Sequence, residues 1–371
     1  MIYDLIVVGA GPAGCAAAIS AVRGAARVLL LERGRFPRHK VCGEFVSAES
    51  LDLLHNLLAP DQRHLVSEAM RIDRGRIFAD GAKLEAEISP PAASITRFDM
   101  DSALWDSCIQ SGVEAGAECT VEAVEGTGPF KVTTRGECFH GKALINATGR
   151  WSNLTSSATR AGVSRAGVSK ERWVGVKAHF REASAPASVD LYFFDGGYCG
   201  VQPVRFAGQN GSGVVINACA MVRADIAITL QEVLLRHPEL RERSRGWEPM
   251  MAPVSTSPLV FHQPEPVQGG MIQIGDSATF VDPFIGNGIS LALRSGALAA
   301  ERLEDFFRGD HSLEQATVEY CRLYKQRLAP VFRASSWLRR MLRWPGVVRK
   351  PVLSLLEKTP SITSRLVRMT R

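Results

Sequence analysis

The first thirty residues alternate between apolar and polar stretches in a strand–helix–strand order. Residues 3–8 form a short apolar run rich in Ile and Val, which predicts a buried parallel strand. Residues 12–23 are rich in Ala and predict a helix, and residues 27–31 form a second apolar run. The pattern therefore predicts a βαβ unit at the N-terminus.

The rest of the pattern predicts further α/β pieces that are interrupted by an antiparallel sheet. Between residues 173 and 220, short strands are separated by turn clusters such as Gly196-Gly197, which is typical of antiparallel pairing. The other predicted elements are helices at 48–58, 99–112, 289–307 and 313–332, a hairpin of 119–124 with 130–134, and strands at 143–147 and 271–274. Asp99 is the predicted N-cap of the second of these helices.

A glycine-rich sequence joins the first predicted strand to the first predicted helix. It reads Gly9-Ala10-Gly11-Pro12-Ala13-Gly14, and Glu32 ends the next strand. In a dinucleotide-binding unit the first glycine permits a tight turn, the second lets the backbone approach a pyrophosphate, and the third allows close helix–strand packing. The helix N-terminus attracts the phosphates, and the acid accepts hydrogen bonds from the ribose. This motif predicts NAD or FAD, with a purely structural glycine turn as the alternative.

A second glycine-rich sequence favours a flavin. Gly275 and Asp276 follow an apolar strand, and a glycine-rich loop then leads into a long helix. The candidate contacts in this loop are Pro283, Gly286, Gly288 and Ile289. A reduced flavin carries negative charge on its ring, which a helix N-terminus stabilises, and its ribityl chain needs an acceptor such as Asp276. The alternative is an ordinary loop.

Composition and charge exclude several classes of protein. The chain has a net charge of +6, but residues 330–371 carry ten basic residues against Glu357, so that this tail is +9 and the body is −3. A basic tail on an acidic body argues against a nucleic-acid-binding protein. None of the eight Cys forms a CxxC pair, so no metal or redox-pair site is predicted. The first residues lack the basic region of a signal peptide, and a cytoplasmic location is expected.

The basic tail has the pattern of an interfacial helix. Apolar side chains recur on one face at helical spacing, basic side chains lie opposite, and Trp flanks the boundary. The apolar face consists of Val331, Ala334, Leu338, Met341 and Leu342, the basic face of Arg333, Arg340 and Arg343, and the flank of Trp337 and Trp344. This pattern predicts docking to an anionic membrane surface or to an acidic partner such as a carrier protein. The alternative is a helix packed on the body.

Three motifs in this order resemble those of the p-hydroxybenzoate-hydroxylase-fold flavoproteins. The group includes the class A flavoprotein monooxygenases, the geranylgeranyl reductases and the flavin-dependent halogenases. The motifs are the first glycine-rich sequence with Glu32, the sequence Ile95-Thr96-Arg97-Phe98-Asp99, and Gly275-Asp276-Ser277-Ala278 with the glycine-rich loop. The string DPFIGNGISLALRSG at 282–296 is most similar to the geranylgeranyl-reductase-like branch.

The resemblance covers most of residues 1–330 and implies an FAD-binding protein. It implies that Arg97 and Asp276 contact FAD and that the loop at 283–288 lies against the flavin ring. We include Arg33, which follows Glu32, among the candidate FAD contacts. Cys42 and Glu44 occupy the place of a Cys-Gly loop near the flavin edge, and with Tyr198 they are the candidates for proton delivery. The alternatives are that Cys42 is a small buried hydrophobe and that Glu44 is a solvated surface residue.

Two features depart from the pattern of the aromatic hydroxylases and halogenases. The chain has Thr148-Gly149-Arg150 where hydroxylases carry an Asp-Gly pair, and this puts direct use of NADPH in doubt. The electron source is therefore expected to be NAD(P)H or a partner flavin reductase. The Trp pair of the halogenases is missing from residues 197–203, which argues against halogenation.

The sequence as a whole predicts an α/β fold with a Rossmann-like FAD-binding domain, an inserted antiparallel-sheet substrate domain and a helical C-terminal tail. The expected boundaries are 1–160 with 269–310 for the FAD domain, 161–268 for the substrate domain and 311–371 for the C-terminal region. The favoured function is FAD-dependent monooxygenation of a hydrophobic or aromatic small molecule or a carrier-bound substrate. The alternatives are reduction of prenyl double bonds, as in geranylgeranyl reductases, and a non-catalytic flavin-binding partner.

Overall fold

The structure is a computed structural model, and it describes residues 1–151, 154, 172–208, 211–259, 261, 263–280, 283, 286–330 and 332. These residues form eight α-helices and seventeen strands. The helices are α1 (Pro12–Arg23), α2 (Ala48–Leu57), α3 (His64–Ser67), α4 (Arg97–Gln110), α5 (Leu230–Leu234), α6 (Pro238–Arg243), α7 (Gly288–Arg308) and α8 (Leu313–Arg327). The strands are β1 (Ile2–Val8), β2 (Val28–Leu31), β3 (Phe45–Val46), β4 (Met70–Ala79), β5 (Ala82–Ser94), β6 (Glu114–Gly116), β7 (Val121–Glu125), β8 (Phe130–Thr134), β9 (Cys138–Asn146), β10 (Trp173–Arg181), β11 (Ser188–Phe194), β12 (Gly197–Gly208), β13 (Gly211–Arg223), β14 (Glu248–Pro249), β15 (Val254–Thr256), β16 (Val267–Gln268) and β17 (Met271–Gln273).

The first sheet is the Rossmann-like one that the N-terminal pattern predicts. Its strand order is β16-β17-β9-β1-β2-β6, and β1 pairs in parallel with both β2 and β9. The hairpin of β7 and β8 extends it from β9. Helices α1 and α7 pack against each other so closely that a Cβ on Gly296 would lie 2.2 Å from the carbonyl oxygen of Ala13. This contact brings the beginnings of the two helices to the same side of the sheet.

The second sheet supplies the surface that faces the first domain. Its strand order is β14-β10-β13-β12-β11-β4-β5-β3, and all of its pairs are antiparallel except β11 with β4. Alternate side chains of β10, β12 and β13, such as Val176, Val201 and Ala218, pack in a core with α5 and α6. The intervening side chains, among them Lys177 and Tyr198, point to the opposite face, because successive residues of a strand alternate between faces.

The second sheet contains strands from both of the domains that were predicted from the sequence. Strands β3, β4 and β5 lie within residues 1–160, which were assigned to the FAD domain, but they pair in the second sheet. Strand β4 pairs in parallel with β11, which lies more than one hundred residues further along the chain. A contact between such distant segments cannot be predicted from a local sequence pattern.

The N-cap of α4 is Thr96, and the prediction of Asp99 for this position was wrong. The helix begins at Arg97, and the Thr96 hydroxyl accepts a hydrogen bond of 3.0 Å from the Asp99 N–H. Asp99 is therefore the third residue of the helix, where an acid is favoured by the positive end of the helix dipole. Thr96 and Asp99 are both residue types that cap helices, so the sequence alone left the position of the N-cap ambiguous.

The helices of the described part of the chain include none that is long and apolar enough to cross a membrane. The residues of the amphipathic pattern predicted for the tail lie outside the described ranges.

Candidate functional site

The first glycine-rich sequence forms the turn between β1 and α1. Gly9 has a φ of +103°, and a Cβ there would lie 2.4 Å from the carbonyl oxygen of Ala147. A Cβ on Gly14 would lie 1.8 Å from the carbonyl oxygen of Gly9. Both glycines are thus required by the fold itself, the first for its left-handed conformation and the second for close packing.

Gly11 differs from Gly9 and Gly14 because there is free space at the position where a side chain would lie. Among the described residues, a Cβ placed on Gly11 would have only Arg97 Nη2 within reach, at 4.0 Å. Gly11 caps α1 and has no side chain to satisfy the first N–H groups of that helix. The free space and the helix N-terminus fit the pyrophosphate of a dinucleotide such as FAD.

Glu32 lies at the end of β2 and is held as an anion. Its carboxylate accepts hydrogen bonds of 2.8 Å from the Ala10 and Gly34 N–H groups, and Arg38 donates to both oxygens at 2.7 and 3.1 Å. Burial by itself raises the pKa of this carboxyl, but Arg38 and the two N–H groups lower it to about 2. A ribose hydroxyl would share this carboxylate with Arg38. Arg33 is exposed beside it.

The second glycine-rich sequence lies directly beside the first. A Cβ on Gly275 would be 3.0 Å from the Cβ of Ala13 in the first turn of α1, and the Gly275 N–H donates to Ser295 Oγ of α7 at 2.9 Å. Asp276 faces Arg150 across 3.6 Å. The two sequences therefore form one continuous surface, as a cofactor that spans them requires.

The residues that lead into α7 complete this surface. Gly286 has a φ of +75°, and Phe45 packs against it so that a Cβ would approach the ring to 2.8 Å. Gly288 begins the helix with an open side, Ile289 is buried and Pro283 is half-buried. The structure thus brings the sequence-predicted FAD contacts together, with α1 and α7 directing two helix N-termini at the same region. Their contact with FAD remains a prediction.

We expect replacement of Asp276 by alanine to weaken FAD binding by about 1.5–3 kcal/mol, the range for a hydrogen bond to a charged group. The reason is the loss of the acceptor predicted for the ribityl hydroxyls. Equilibrium titration of the apoprotein with FAD measures the effect. Asp310→Ala is the control, because Asp310 is an exposed acid paired with Arg308 beyond the far end of α7. An unchanged dissociation constant for Asp276→Ala would make this acid a structural residue only.

Arg97 links the first glycine-rich sequence to the segment that holds Cys42. Its guanidinium donates to both oxygens of Asp101, at 2.6 and 2.7 Å. Burial alone would lower the pKa of Arg97, but Asp101 and the adjacent Cys42 raise it. The Cys42 sulfur also accepts from the Glu44 N–H at 3.4 Å. A permanent cation thus lies between Gly11 and a thiol.

Glu44 is wholly buried, so the alternative of a solvated surface residue is wrong. Its Oε1 accepts from the Arg97 N–H at 2.8 Å and from the Lys177 ammonium, and its Oε2 lies 2.8 Å from His179 Nε2. Burial raises the pKa of Glu44, yet Lys177 and His179 outweigh it and hold the pKa at about 2. A carboxylate so engaged stays ionised and is a poor proton donor. Its proposed role in proton delivery remains untested.

The segment 41–47 is where the two glycine-rich sequences and the second sheet meet. Val41 packs on Gly175 of β10, where a Cβ would lie 3.0 Å from the Val41 side chain. The Cys42 carbonyl accepts from Asn217 Nδ2 of β13 at 3.0 Å, and the Ser47 and Ser290 hydroxyls are 2.6 Å apart at the start of α7. The site therefore lies between the helix N-termini and the inner face of the second sheet.

That inner face has an apolar half and a polar half. The apolar half consists of Trp173, Leu191, Phe193, Tyr198 and Met221, and it packs with Leu259, Phe261 and Phe280. The polar half consists of Lys177, His179, Gln202, Asn217 and Cys219. Arg150, the partner of Asp276, lies over the Phe280 ring at 4.5 Å, so the apolar half adjoins the second glycine-rich sequence. Tyr198, a predicted proton donor, is buried in the apolar half.

The sequence analysis missed the polar half of this face. Lys177 and His179 lie two residues apart in a strand whose other residues before Arg181 are apolar. In a buried strand, polar residues at i and i+2 point to the same face and need partners, and this spacing was the available signal. Their partner Glu44 lies more than 130 residues away, so the cluster itself had no local signature.

Comparison with known proteins places this site in a flavoprotein context. Residues 4–149 match the family described as FAD dependent oxidoreductase. The chain is 27% identical over 315 residues to digeranylgeranylglycerophospholipid reductase 2 of Methanopyrus kandleri, which covers 81% of this chain and 76% of that protein. The family match at residues 4–149 contains the first glycine-rich sequence, Glu32, Glu44 and Arg97.

Two solved structures share the fold. A geranylgeranyl bacteriochlorophyll reductase-like protein from Thermoplasma acidophilum superimposes with a TM-score of 0.77 at 18% identity, over 99% of this chain and 95% of that one. A flavin-dependent brominase superimposes with a TM-score of 0.75 at 20% identity, over 100% and 93%. At these identities the likeness shows the FAD-binding Rossmann-type fold and no particular reaction.

Proposed function

We propose that this chain, an FAD-dependent oxidoreductase, reduces a carbon–carbon double bond in a hydrophobic, prenyl-type chain. The sequence analysis favoured monooxygenation and kept this reduction as its alternative. The name of the Methanopyrus kandleri relative supports the change, since that protein is a reductase of a geranylgeranyl lipid.

The observation that carries the proposal is the division of the inner face into two halves. Saturating an isolated double bond requires an apolar surface for the chain and a source of protons beside it. The apolar half offers aromatic and aliphatic side chains without a charge, and Lys177 and His179 lie on the same face of the sheet. When bound, FAD supplies the hydride equivalent of the reduction. The chain's own residues bind the apolar substrate, exclude water and hold the protons.

Monooxygenation is the second candidate, because the same apolar half would keep water away from an oxygen-dependent reaction. We propose NAD(P)H or a partner flavin reductase as the electron source in either case. Among the residue patterns of the chain, only the first glycine-rich sequence has the dinucleotide fingerprint.

Product mass distinguishes the candidates without knowledge of the natural electron donor. The flavin-loaded protein is reduced with dithionite and mixed with a lipid that bears a geranylgeranyl chain, once without oxygen and once in air. We expect an anaerobic product two mass units heavier than the substrate. A product sixteen units heavier, formed only in air, would establish the monooxygenase. Absence of both products, with a flavin that dithionite leaves oxidised, would favour the non-catalytic alternative.

We further propose that the basic tail brings the enzyme to an anionic membrane surface, where a prenyl lipid would reside. Polybasic segments gain roughly 1 kcal/mol per residue near such a surface, and less as salt rises. We expect the full chain to bind phosphatidylserine vesicles at low salt in a flotation assay, and a chain ending at Ala329 to keep its flavin but lose this binding. Binding to an acidic carrier protein in place of vesicles would redirect the proposal, and an insoluble truncated chain would indicate a structural tail.

A further inference from the structure

We propose that His179, positioned by Glu44, is the residue that transfers the proton at this site, through its Nδ1 atom. The inference rests on the proposed reduction for its chemistry, but the positioning itself is tested independently of any substrate. The sequence analysis did not single out His179, and Glu44 was considered as a direct proton donor.

The contact between Glu44 and His179 determines which imidazole nitrogen is available. Glu44 is ionised and its Oε2 lies 2.8 Å from His179 Nε2, so Nε2 must carry the hydrogen that joins them. His179 Nδ1 is then the nitrogen left to accept or donate. This atom is buried and has no hydrogen-bond partner among the residues that the structure describes. The geometry is that of a carboxylate that orients an imidazole for acid–base work.

Two other buried polar atoms near His179 also lack a partner. Asn217 lies directly opposite His179 in the register of β10 and β13, and its Oδ1 is unpaired. The His39 ring meets the His179 ring edge-on at 5.6 Å, and His39 Nδ1 is unpaired as well. Buried polar groups are rarely left without a partner, and three together indicate a place where a ligand or water binds.

Aromatic rings surround His39 and His179 close to a cleft. Phe98 packs on the His39 ring at 4.8 Å, and Phe206 lies 5.7 Å from the His179 ring. Phe98 and Asp99 also line a cleft of about 370 Å³. The His39 ring thus contacts both His179 and Phe98, which lines the cleft. Burial and the nearby Lys177 lower the pKa of His39, which favours its neutral form.

The other titratable groups around His179 are less suited to the transfer. Glu44 has a pKa of about 2, and its oxygens are occupied by Arg97, Lys177 and His179. The Lys177 ammonium is wholly buried and bound to Glu44. Asp99, whose pKa is raised by burial, lines the cleft and accepts a hydrogen bond from the Thr96 hydroxyl.

Transfer of a proton from His179 completes the reduction of the double bond. One alkene carbon would receive a hydride, with both electrons, from bound reduced FAD, and the other carbon would receive the proton of His179 Nδ1. The imidazolium would become neutral imidazole and regain its proton from solvent. Two carbon–hydrogen bonds form, and the carbon–carbon π bond, the flavin–hydrogen bond of the hydride and the Nδ1–H bond of His179 break.

Nitrogen-15 NMR of the histidine-labelled holoprotein tests the positioning. With His179 assigned by means of His179→Gln, we expect the neutral ring to carry its hydrogen on Nε2. In Glu44→Gln/Lys177→Met, which removes both charges of the ion pair together, we expect this preference to weaken. His237 is the matched control, because it is buried with an unpartnered Nδ1 but packs against Tyr192 and Phe78 on the opposite face. A His179 ring with its hydrogen on Nδ1, or one unaffected in the double variant, would overturn the positioning by Glu44.

Kinetics test the transfer itself. Positioned general acids contribute roughly 10²–10⁴-fold. We expect His179→Gln to slow the anaerobic oxidation of the pre-reduced protein by the geranylgeranyl lipid at least about 100-fold, with FAD content and reduction by dithionite unchanged. A rate close to wild type would reject His179 as the proton donor while leaving the proposed reduction intact. If the wild-type protein does not reduce the lipid, the proposed function fails, and the NMR result still decides the positioning.

Discussion

Replacing Gly11 by valine should yield a folded protein with little or no flavin. The backbone of Gly11, with φ −76° and ψ −178°, is one that a β-branched residue adopts readily. Among the described residues, a Cβ on Gly11 meets no atom closer than Arg97 Nη2, at 4.0 Å. The predicted pyrophosphate must occupy that space, and overpacking costs about 1–3 kcal/mol, hence a loss of affinity of about fivefold to 160-fold. Flavin absorbance per chain, with circular dichroism for folding, measures the result.

Two other glycines are the controls for this experiment. Gly14→Val should fail to fold, because its Cβ would lie 1.8 Å from the Gly9 carbonyl oxygen. Gly136→Val should keep both fold and flavin, since a Cβ there has no described atom within 4 Å and lies in a turn far along the chain from both glycine-rich sequences. Full flavin occupancy in Gly11→Val would show that the cofactor does not approach this turn.

Replacing Glu44 by glutamine should destabilise the protein by about 3–5 kcal/mol, the cost of leaving a buried charge without its partner. Glu44 and Lys177 are both wholly buried, and the substitution leaves the Lys177 ammonium uncompensated. Denaturant unfolding of the flavin-saturated proteins measures the difference. Glu44→Gln/Lys177→Met should recover most of the loss, because it removes both charges.

An exposed ion pair provides the control for this prediction. Glu248 pairs with Arg181 at 2.9 Å, but both side chains are more than 60% exposed. Pairs of this kind contribute about 0–1 kcal/mol, so Glu248→Gln should be nearly neutral. A single variant Glu44→Gln as stable as the wild type would mean that the Lys177 charge is compensated without Glu44.

The effect of Glu44→Gln should also depend on pH in one direction. The folded pKa of Glu44 is about 2, below the value of about 4.3 for an unfolded glutamate. Its contribution to stability is therefore complete above about pH 5 and is lost as the pH falls towards 2. The difference between wild type and variant should shrink over that range, while the contribution of Glu32, which is shifted in the same direction, cancels because both proteins retain it. A difference that stays constant down to pH 2 would contradict the assignment.

Most of the first sheet could be predicted because its signals are local. A few residues are enough to recognise the apolar run of β1, the Ala-rich helix α1 and the strand β2, since side-chain period and helix propensity act over that distance. The roles expected for Gly9 and Gly14 match the geometry of the turn, and Gly11 has the open side that its predicted role requires. By contrast, the sequence analysis named no element between residues 59 and 94, and the long strands β4 and β5 lie there. The pairing of β4 with β11 of the second sheet depends on a segment that is distant in the chain.

The sequence by itself was enough to recognise the two glycine-rich loops, the βαβ unit and the inserted antiparallel sheet, because each of these features depends on residue spacing within a short stretch. Only the tertiary structure decided what faces the site. Glu44 reads in sequence as one acid in a polar loop, and Lys177 as one basic residue in an apolar strand. Folding joins them over 133 residues, removes water from both and sets His179 against the same carboxylate. Charge pairing of this kind is enforced by burial, and burial is a property of the assembled sheets and not of either segment.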